Sequence, residues 1–364
     1  MTALEAYLIK LIKAQGPLSI AAYMAEALGN KTHGYYMKQD PFGQGGDFTT
    51  APEISQMFGE IIGLWLGTNW ITMNCPEKIH LIELGPGRGT LMQDAVRAMK
   101  AIPGLLDSTQ LHLVEMSPAL RKIQQKNLQD YPSPQWHDRI NDALEQADGQ
   151  PILLIANEFF DALPVRQFQK RTGGWHERLI CLDVSEKLAL QLAPAPISEQ
   201  LIPALYHRAE TGAIVEISAI AETILAQIAE YIKIYGGAAL IIDYGHDSHG
   251  TGDTLQAVKT HSYQDILSQP GDVDLTCHVN FQRLKEIAQL SNLKIFGPIG
   301  QGAFLNAMAI KARSDILCAA ATEQQKNDIH AALHRLTHDE AMGQIFKVMA
   351  LCGNDLVDVA GFEA

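Results

Sequence analysis

Three glycines, Gly85, Gly87 and Gly89, lie directly between a short apolar run and a segment of helical periodicity. Glycine lets a backbone approach a ligand closely, and the N-terminus of the following helix presents free N–H groups. The GxGxG spacing, with Glu83 two residues before the first glycine, differs from the GxGxxG loop that holds a dinucleotide pyrophosphate. It favours a cofactor that carries an amino acid and an adenosine, because an acid and nearby amides can orient a zwitterionic end. A purely structural turn is the alternative.

A second acid follows the next predicted strand. Glu115 ends the apolar run at residues 111–115, and a carboxylate at the carboxyl end of a strand can accept both hydroxyls of a ribose. Alone, Glu115 is also consistent with a solvated strand end. Together with the glycine loop it predicts an S-adenosyl-L-methionine site. Thr90, at the start of the helix after the loop, and Ser117, at the start of the next helix, complete the predicted cofactor-binding residues.

Strands and helices alternate along the middle of the chain. Apolar runs predict strands at residues 79–84, 111–115, 135–137, 151–157 and 238–244, with helices at 90–100, 218–235 and 281–291. Strands that are apolar on both faces and alternate with helices indicate a parallel α/β sheet. A hairpin is predicted at residues 165–169 and 177–183, and a closing strand at 303–311.

The regions on either side of this core have a different pattern. Residues 1–75 are predicted to be mostly helical, with one helix at 20–28 and a longer one from Pro52 to about Trp70. We divide the chain into an N-terminal helical cap with a lid loop (1–75), a core (76–312) and a helical C-terminal tail (313–364). The core carries insertions at about 166–215 and 246–280.

Composition limits the range of partners. The 364 residues include 41 acidic and 28 basic side chains, which gives a net charge of −13. A chain this acidic is not a general nucleic-acid binder, since nothing offsets phosphate repulsion, and it suits a small cofactor or a basic partner.

Five dispersed cysteines indicate a reducing compartment. No apolar run is long enough to cross about 30 Å of hydrocarbon, so no membrane insertion is expected.

Several stretches resemble one known family. Residues 83–90 resemble motif I of class I S-adenosylmethionine-dependent methyltransferases, and Val114 and Glu115 resemble the motif at the end of the next strand in those enzymes. Residues 45–56, 157–164 and 242–245 narrow this resemblance to the MidA-like family, over about residues 17–310. That family includes the arginine methyltransferase that assists assembly of mitochondrial respiratory complex I. The resemblance implies a class I methyltransferase fold, which is a Rossmann-like seven-stranded sheet, with an N-terminal helical addition.

The resemblance also implies a role for the segment at residues 157–164. In this sheet order its strand lies beside the cofactor-binding strand, so Asn157, Glu158 and Asp161 are predicted near the transferred methyl group. Arginine is protonated at neutral pH, and carboxylates aim a guanidinium through bidentate hydrogen bonds. Glu158 is the first choice for this clamp and Asp161 the second, and a nearby acid can accept the proton after transfer. A strand-end residue bonded to a loop is the alternative for each.

Other polar residues are weaker candidates. Asp243 and Tyr244 end the strand at 238–244, where they either wall the same crevice or serve the structure alone. The glycine-rich loop at residues 45–50 is a candidate lid, since its glycines permit hinge conformations. Glu53 fits a substrate acid and a helix start equally well, and Glu216 is a further candidate acid.

Two other chemistries are disfavoured. His246, His249, His261 and His278 cluster in sequence near Cys277, but no HExxH or paired CxxC spacing accompanies them. The sequence therefore predicts no metal site. A hydrolase with a nucleophile elbow would need a GxSxG motif, which the sequence lacks.

The main hypothesis is an S-adenosyl-L-methionine-dependent methyltransferase that acts on an exposed arginine of a protein partner. The resemblance suggests a respiratory complex I subunit or its bacterial counterpart. The alternatives are a non-catalytic assembly factor with a cofactor-like pocket and a small-molecule methyltransferase. The N-terminus lacks the arginines of a transit peptide, which favours the bacterial cytoplasm, or the mitochondrial matrix for a processed eukaryotic chain. A homodimer is left open.

Overall fold

A central sheet with helices on both faces forms the core of the protein, and two smaller sheets accompany it. The computed structural model describes residues 1–38, 50–129, 131, 133–260, 262–353, 356 and 358–362. Among the residues in these ranges, no helix is both long enough and apolar enough to cross a membrane.

The helices are numbered in chain order. They are α1 (Ala3–Gln15), α2 (Ile20–Gly29), α3 (Tyr35–Lys38), α4 (Ala51–Ile54), α5 (Gln56–Thr72), α6 (Thr90–Met99), α7 (Leu105–Ser108), α8 (Pro118–Asn127), α9 (Ile140–Gln146), α10 (Ala219–Tyr235), α11 (Phe281–Leu290), α12 (Gln301–Ala307), α13 (Ile310–Ala319) and α14 (Glu323–Thr337). Two short 3-10 turns lie at Glu199–Leu201 and Ala204–Tyr206, and a π-turn at Asp339–Gly343.

The strands are numbered in the same way. They are β1 (Leu18–Ser19), β2 (Ile79–Leu84), β3 (Thr109–Val114), β4 (Gln135–His137), β5 (Ile152–Asn157), β6 (Arg166–Arg171), β7 (Gly174–Leu182), β8 (Leu188–Leu192), β9 (Ile214–Ile217), β10 (Gly237–His246), β11 (Gln256–Lys259), β12 (Ser262–Gln264), β13 (Asp274–Thr276), β14 (Val279–Asn280), β15 (Lys294–Gly300) and β16 (Phe346–Cys352). The two small sheets have the orders β1-β7-β6-β9, with β8 on β7, and β12-β11-β13. The predicted hairpin is therefore confirmed as β6 and β7.

The central sheet has the strand order β15-β16-β10-β5-β2-β3-β4. From β10 to β4 the neighbouring strands are parallel, and β16 is antiparallel to both β10 and β15. β14 adds a short parallel pairing at the end of β10. The Rossmann-like seven-stranded α/β sheet implied by the family resemblance is confirmed. The parallel strands all end at one edge, so the residues that follow them lie near one another.

Apolar side chains cover both faces of this sheet. Residues 152–156 of β5 and 238–242 of β10 are essentially fully buried. Leu153 and Ile155 pack on one face with α5, α6 and α12, whereas Ile152 and Leu154 pack on the other with α10 and α11. Side chains alternate along a strand, so a strand covered on both sides is apolar throughout. The loops at the carboxyl edge therefore start from a rigid base.

The N-terminal helical addition differs from the prediction at one residue. The helix expected from Pro52 to Trp70 is interrupted at Ser55, which has extended backbone (φ −161°, ψ 138°). The hydroxyl of Ser55 accepts a hydrogen bond from the N–H of Met57 at 3.2 Å and so caps α5. The interruption turns α4 into a separate short helix, and its first residue, Ala51, lies at the carboxyl edge of the sheet.

The predicted helical tail is wrong beyond α14. Residues 346–352 form β16, which enters the central sheet between β10 and β15, and residues 348–352 are all buried. A strand buried on both faces shows no alternation, so its short apolar run could not be distinguished from a helix by periodicity. The closing strand predicted at 303–311 is also wrong, because α12 and α13 occupy that region. The closing strand is β15.

Three histidines form a hydrogen-bonded ladder across β2, β3 and β4. His80 Nδ1 and His112 Nε2 are 2.7 Å apart, and His112 Nδ1 and His137 Nε2 are 2.9 Å apart. The stacked rings have centroid distances of 4.9 and 5.1 Å. His112 has no exposed surface, and burial lowers its pKa to about 3. His112 is therefore neutral at physiological pH, with one ring nitrogen that donates and one that accepts.

Candidate active site

The loop after β2 has left-handed backbone at each predicted glycine. Gly85, Gly87 and Gly89 have φ values of 60°, 53° and 80°, where a side chain is disfavoured. A Cβ on Gly85 would lie 3.0 Å from the ring of Phe159, so this position also requires the smallest residue for packing. Gly89 is the N-cap of α6, and the free N–H groups of that helix therefore begin where the loop ends.

This loop lines a cleft that is open to solvent, together with Glu83, Thr90, Asn157 and Glu158. Glu83 Oε2 and Asn157 Oδ1 are buried, and neither has a hydrogen-bond partner among the residues that the structure describes. Burial, with the Glu115 charge as a second cause, raises the pKa of Glu83 to about 8. Buried acceptors without donors are costly, so the two oxygens fit a ligand that brings N–H groups, such as an ammonium.

Glu115 follows β3 directly and is 9% exposed. Its Oε1 accepts a hydrogen bond from the N–H of Ser117 at 2.8 Å, and its Oε2 accepts one from Gln124 Nε2 at 3.3 Å. Burial raises the pKa of Glu115 to about 7. Ser117 also caps α8, because its hydroxyl accepts from the N–H of Leu120 at 3.4 Å. Ser117 thus orients the carboxylate, and each carboxylate oxygen still has a lone pair for a diol.

Glu53, on α4, lines the same cleft as the glycine loop. Thr90 Oγ1 donates to Glu53 Oε1 at 2.5 Å, and Arg88 Nη1 donates to Glu53 Oε2 at 3.3 Å. The predicted cofactor residue Thr90 thus has its hydroxyl directed to Glu53. These contacts tie α4 to the start of α6, and because Glu53 also lines the cleft its role as a substrate acid stays a prediction.

Glu158 lies one residue beyond β5 in left-handed backbone, with φ of 50°. Its Oε1 accepts hydrogen bonds from the backbone N–H of Ala51 at 3.0 Å and from Asn157 Nδ2 at 3.3 Å. Its own N–H donates to the carbonyl of Ile242 at 2.8 Å. Burial raises the pKa of Glu158 to about 7. The structure therefore brings Asn157 and Glu158 to the cleft lined by the glycine loop, in a backbone conformation that the surrounding contacts must maintain.

Asp161, the third predicted catalytic residue, is 6% exposed and is not among the residues that line the cleft. It lies beside the hydroxyl of Tyr244, and burial raises its pKa to about 6.

The neighbouring Asp243 has no exposed surface. Asp243 Oδ2 accepts from the N–H groups of Phe160 at 2.9 Å and Asp161 at 3.1 Å. Asp243 therefore fixes the turn that follows Glu158, which agrees with the structural alternative given in the sequence analysis.

The remaining candidates lie elsewhere or outside the described residues. Of the lid predicted at residues 45–50, only Thr50 is described, and it lines the cleft. His261 is likewise outside the described residues. Within the described ranges, no three His, Cys, Asp or Glu side chains are grouped so that they could hold a metal ion. Glu216 lies away from the cleft and accepts hydrogen bonds from Gln167 Nε2 and the N–H of Thr254.

The seven-stranded sheet, the left-handed glycine loop and the two buried acids that flank it define a class I methyltransferase. The family model for S-adenosyl-L-methionine-dependent methyltransferases matches residues 61–299. The chain belongs to this family, and its cofactor is S-adenosyl-L-methionine.

Similar proteins extend over most of the chain. The protein arginine methyltransferase NDUFAF7, mitochondrial, of Danio rerio is 35% identical over 367 residues, which cover 95% of this chain and 86% of the relative. Its Homo sapiens counterpart is 35% identical over 382 residues, which cover 96% and 83%. The Drosophila melanogaster homologue is 37% identical over 369 residues, which cover 93% and 82%.

Two solved structures from Burkholderia thailandensis have the same fold. One, bound to S-adenosyl-homocysteine, superposes with a TM-score of 0.85 at 25% identity and covers 99% of this chain and 94% of its own. The other, a native structure, has a TM-score of 0.84 at 24% identity, with 100% and 94% coverage. The first relative binds the demethylated form of the cofactor, which agrees with the cofactor assigned to this chain.

Proposed function

We propose that the protein transfers a methyl group from S-adenosyl-L-methionine to a guanidinium nitrogen of an arginine in a protein partner. The observation that carries the proposal is Glu158, a partly buried carboxyl group that lines the cofactor cleft and is held by the N–H of Ala51. The similar proteins named as protein arginine methyltransferases support the choice of acceptor.

The residues that line the cleft, together with Glu115, which is not one of its lining residues, fit the cofactor. Glu83 Oε2 and Asn157 Oδ1, both buried without a donor among the described residues, would accept from its ammonium group. Glu115 would accept hydrogen bonds from the ribose hydroxyls of the cofactor. The glycine loop has no side chains at three positions, so the cofactor can approach its backbone closely. The bound cofactor supplies an electrophilic methyl group on a sulfonium, and the chain supplies the geometry around it.

Glu158 is proposed as the acceptor clamp. Arginine stays protonated near pH 7, and a carboxylate can hold two of its N–H groups in a fixed plane. One guanidinium proton must leave after methylation, and Glu158 can accept it because burial raises its pKa to about 7. Most of the rate acceleration would come from positioning and from the exclusion of water.

Asn157 and Asp161 are proposed in supporting roles. Asn157 Nδ2 donates to Glu158 Oε1 at 3.3 Å, so it orients the clamp while its Oδ1 faces the cofactor cleft. Asp161 lies behind the clamp, and its negative charge would strengthen the attraction for a guanidinium. The glycine residues, Thr90 and Ser117 are proposed to shape the cofactor site rather than to react.

We also propose which protein accepts the methyl group and in which cellular compartment the reaction takes place. A respiratory complex I subunit or its bacterial counterpart is the candidate partner, on the strength of the family resemblance. The similar proteins named above are mitochondrial, and we place this chain in the mitochondrial matrix or, for a bacterial chain, in the cytoplasm. Nothing on the described surface supports a homodimer over a monomer.

The test uses S-adenosyl-L-methionine with a deuterated methyl group and an extract of cells that lack this protein. We expect mass spectrometry to find the label on an arginine of one protein after addition of the wild type. Label on a small molecule or on another residue type would contradict arginine as the acceptor. An absence of label with intact binding of S-adenosyl-homocysteine would favour a non-catalytic assembly factor.

A further inference from the structure

A second cavity, which is open to solvent, lies next to the cofactor cleft at the same edge of the sheet. It is bounded by the ends of β9 and β10, the first turns of α10 and α11, and the 3-10 turns around residue 205. It shares no lining residue with the cleft. The methyl-transfer proposal gives it no role.

The walls of this cavity carry excess negative charge. Glu216, Glu222 and Glu286 line it, and Arg283 is the one arginine or lysine among its lining residues in the described part of the chain. Arg283 pairs with Glu222 at 2.9 Å and with Glu286 at 3.3 Å, and His249 Nε2 lies 2.6 Å from Glu286 Oε1. Glu216 is held by neutral groups only, Gln167 and Thr254. With the lining histidines His246, His249 and His278 neutral, three carboxylates against one guanidinium give a formal charge of −2, a balance that favours a cationic occupant.

Aromatic rings line the same cavity. Phe160, Tyr206 and His249 contribute to its wall, and the last two rings meet edge-on with centroids 6.2 Å apart. Leu205 stands at its mouth and is 52% exposed. Ring faces beside carboxylates suit a guanidinium or ammonium group, and an apolar mouth suits the methylene stem of such a side chain.

One turn of the chain connects the two sites. Phe160, which lines the cavity, comes two residues after Glu158, which lines the cleft. Asp243 fixes this turn through the N–H of Phe160 at 2.9 Å. A polypeptide that presents an arginine to Glu158 therefore has neighbouring residues within reach of the cavity.

We infer that this cavity binds a second basic side chain, an arginine or a lysine, that lies near the methylated arginine in the same acceptor protein. The inference rests on the proposed function, and it adds a substrate requirement to it. The cavity would select among exposed arginines, because an isolated arginine would engage the cleft alone.

The test measures binding of short fluorescent alanine-based peptides to the protein loaded with S-adenosyl-homocysteine. One peptide carries a single arginine, and the others carry a second arginine or lysine at increasing separations. For one of these separations we expect binding at least about tenfold tighter than for the single-arginine peptide, since a second charge pair is added. Equal affinities across the whole set would overturn the inference.

A pair of surface variants locates the effect. Leu205→Lys places a positive charge at the cavity mouth, and Leu201→Lys adds the same charge at a residue that is 53% exposed and does not line the cavity. Leu205→Lys should remove most of the gain from the second basic residue, whereas Leu201→Lys should leave it. Equal losses in both variants would contradict this location. Affinity for S-adenosyl-homocysteine reports separately on the cofactor site, so failure of the methyltransferase proposal would be recognised independently.

Discussion

The Glu158 carboxylate accepts a hydrogen bond from the backbone N–H of Ala51 across 3.0 Å, which joins the N-terminal addition to the end of β5. Ala51 is the first residue of α4, where a helix has free N–H groups to offer. A backbone donor stabilises the ionised form of a carboxyl group, and it cannot be altered by ordinary side-chain exchange. The N-terminal addition is therefore part of the proposed active site.

Replacement of Ala51 by proline removes this donor. Proline is accepted at the first position of a helix, and Thr50 before it already has extended backbone. Because the charged form of Glu158 loses a hydrogen bond, we expect its pKa to rise and the acidic limb of the pH–rate profile to move up by about one unit. Ala51→Gly keeps the N–H and is the matched control. Identical profiles for the two variants would contradict the role of Ala51.

Glu158→Gln tests the clamp. The amide keeps the size of the side chain but cannot accept a proton or offset a guanidinium charge, so methyl transfer should fall at least about a hundredfold. Binding of S-adenosyl-homocysteine should stay within about threefold of wild type by calorimetry, since Glu158 is proposed for the acceptor side. A variant that retains wild-type turnover would remove Glu158 from the mechanism.

Glu115→Ala tests the ribose site. Loss of a charged hydrogen-bond acceptor should weaken binding of S-adenosyl-homocysteine on the order of ten- to a hundredfold. Ser117→Ala is the control, because it keeps the backbone N–H that holds Glu115. The control should cost about 1 kcal/mol of stability through the lost helix cap but change affinity little. Equal losses of affinity would assign the effect to the loop and not to the carboxylate.

Glu83 should release a proton when the cofactor binds. Burial raises its pKa to about 8, so the group is mostly protonated at pH 7 without a ligand. An ammonium placed beside it favours the carboxylate, so its pKa falls and affinity rises as the pH approaches 8. Calorimetry in buffers of different ionisation enthalpy should detect about one proton released near pH 7. Glu83→Gln should abolish that release, and a wild type without proton release would contradict the assignment.

The histidine ladder should make the protein sensitive to acid. The pKa of His112 in the folded protein is about 3, below its usual value near 6.5, so only the unfolded chain takes up this proton between those values. Stability is therefore fully present above about pH 6.5 and is lost as the pH falls, by at most about 1.4 kcal/mol per pH unit for one proton. Urea unfolding at two pH values should show a shallower loss for His112→Phe than for wild type.

The residues of the candidate cofactor site could be predicted from the sequence, because each lies in a short motif beside a strand. Gly85, Gly87 and Gly89 follow an apolar strand directly, and Glu115 ends the next strand, so adjacent strands bring them together. The order of strands and the position of Asn157 followed from the family resemblance. These features depend on short stretches and on one parallel sheet, and both are visible in the sequence.

The acceptor half depends on contacts between distant residues. Ala51 and Glu158 are 107 residues apart in the chain, and Asp243 reaches the N–H of Asp161 across 82 residues. Every residue except proline has a backbone N–H, so the type of a residue does not show whether its N–H donates to a distant side chain. Neither contact could therefore be predicted from the spacing of residues. Asp161 was expected at the cleft because it follows β5 closely, but the turn held by Asp243 directs it towards Tyr244.

The position of β16 fixes the order in which the protein can be completed during synthesis. Residues 346–352 fill the gap between β10 and β15, and β15 has no other strand partner in the central sheet among the described residues. Until residue 352 has left the ribosome, β10 has an open edge from Ala238 to Tyr244 and β15 cannot join the sheet. An emerging chain is thus vulnerable to edge-to-edge association until its final strand arrives. Translation must therefore run past residue 352 before the edge is closed.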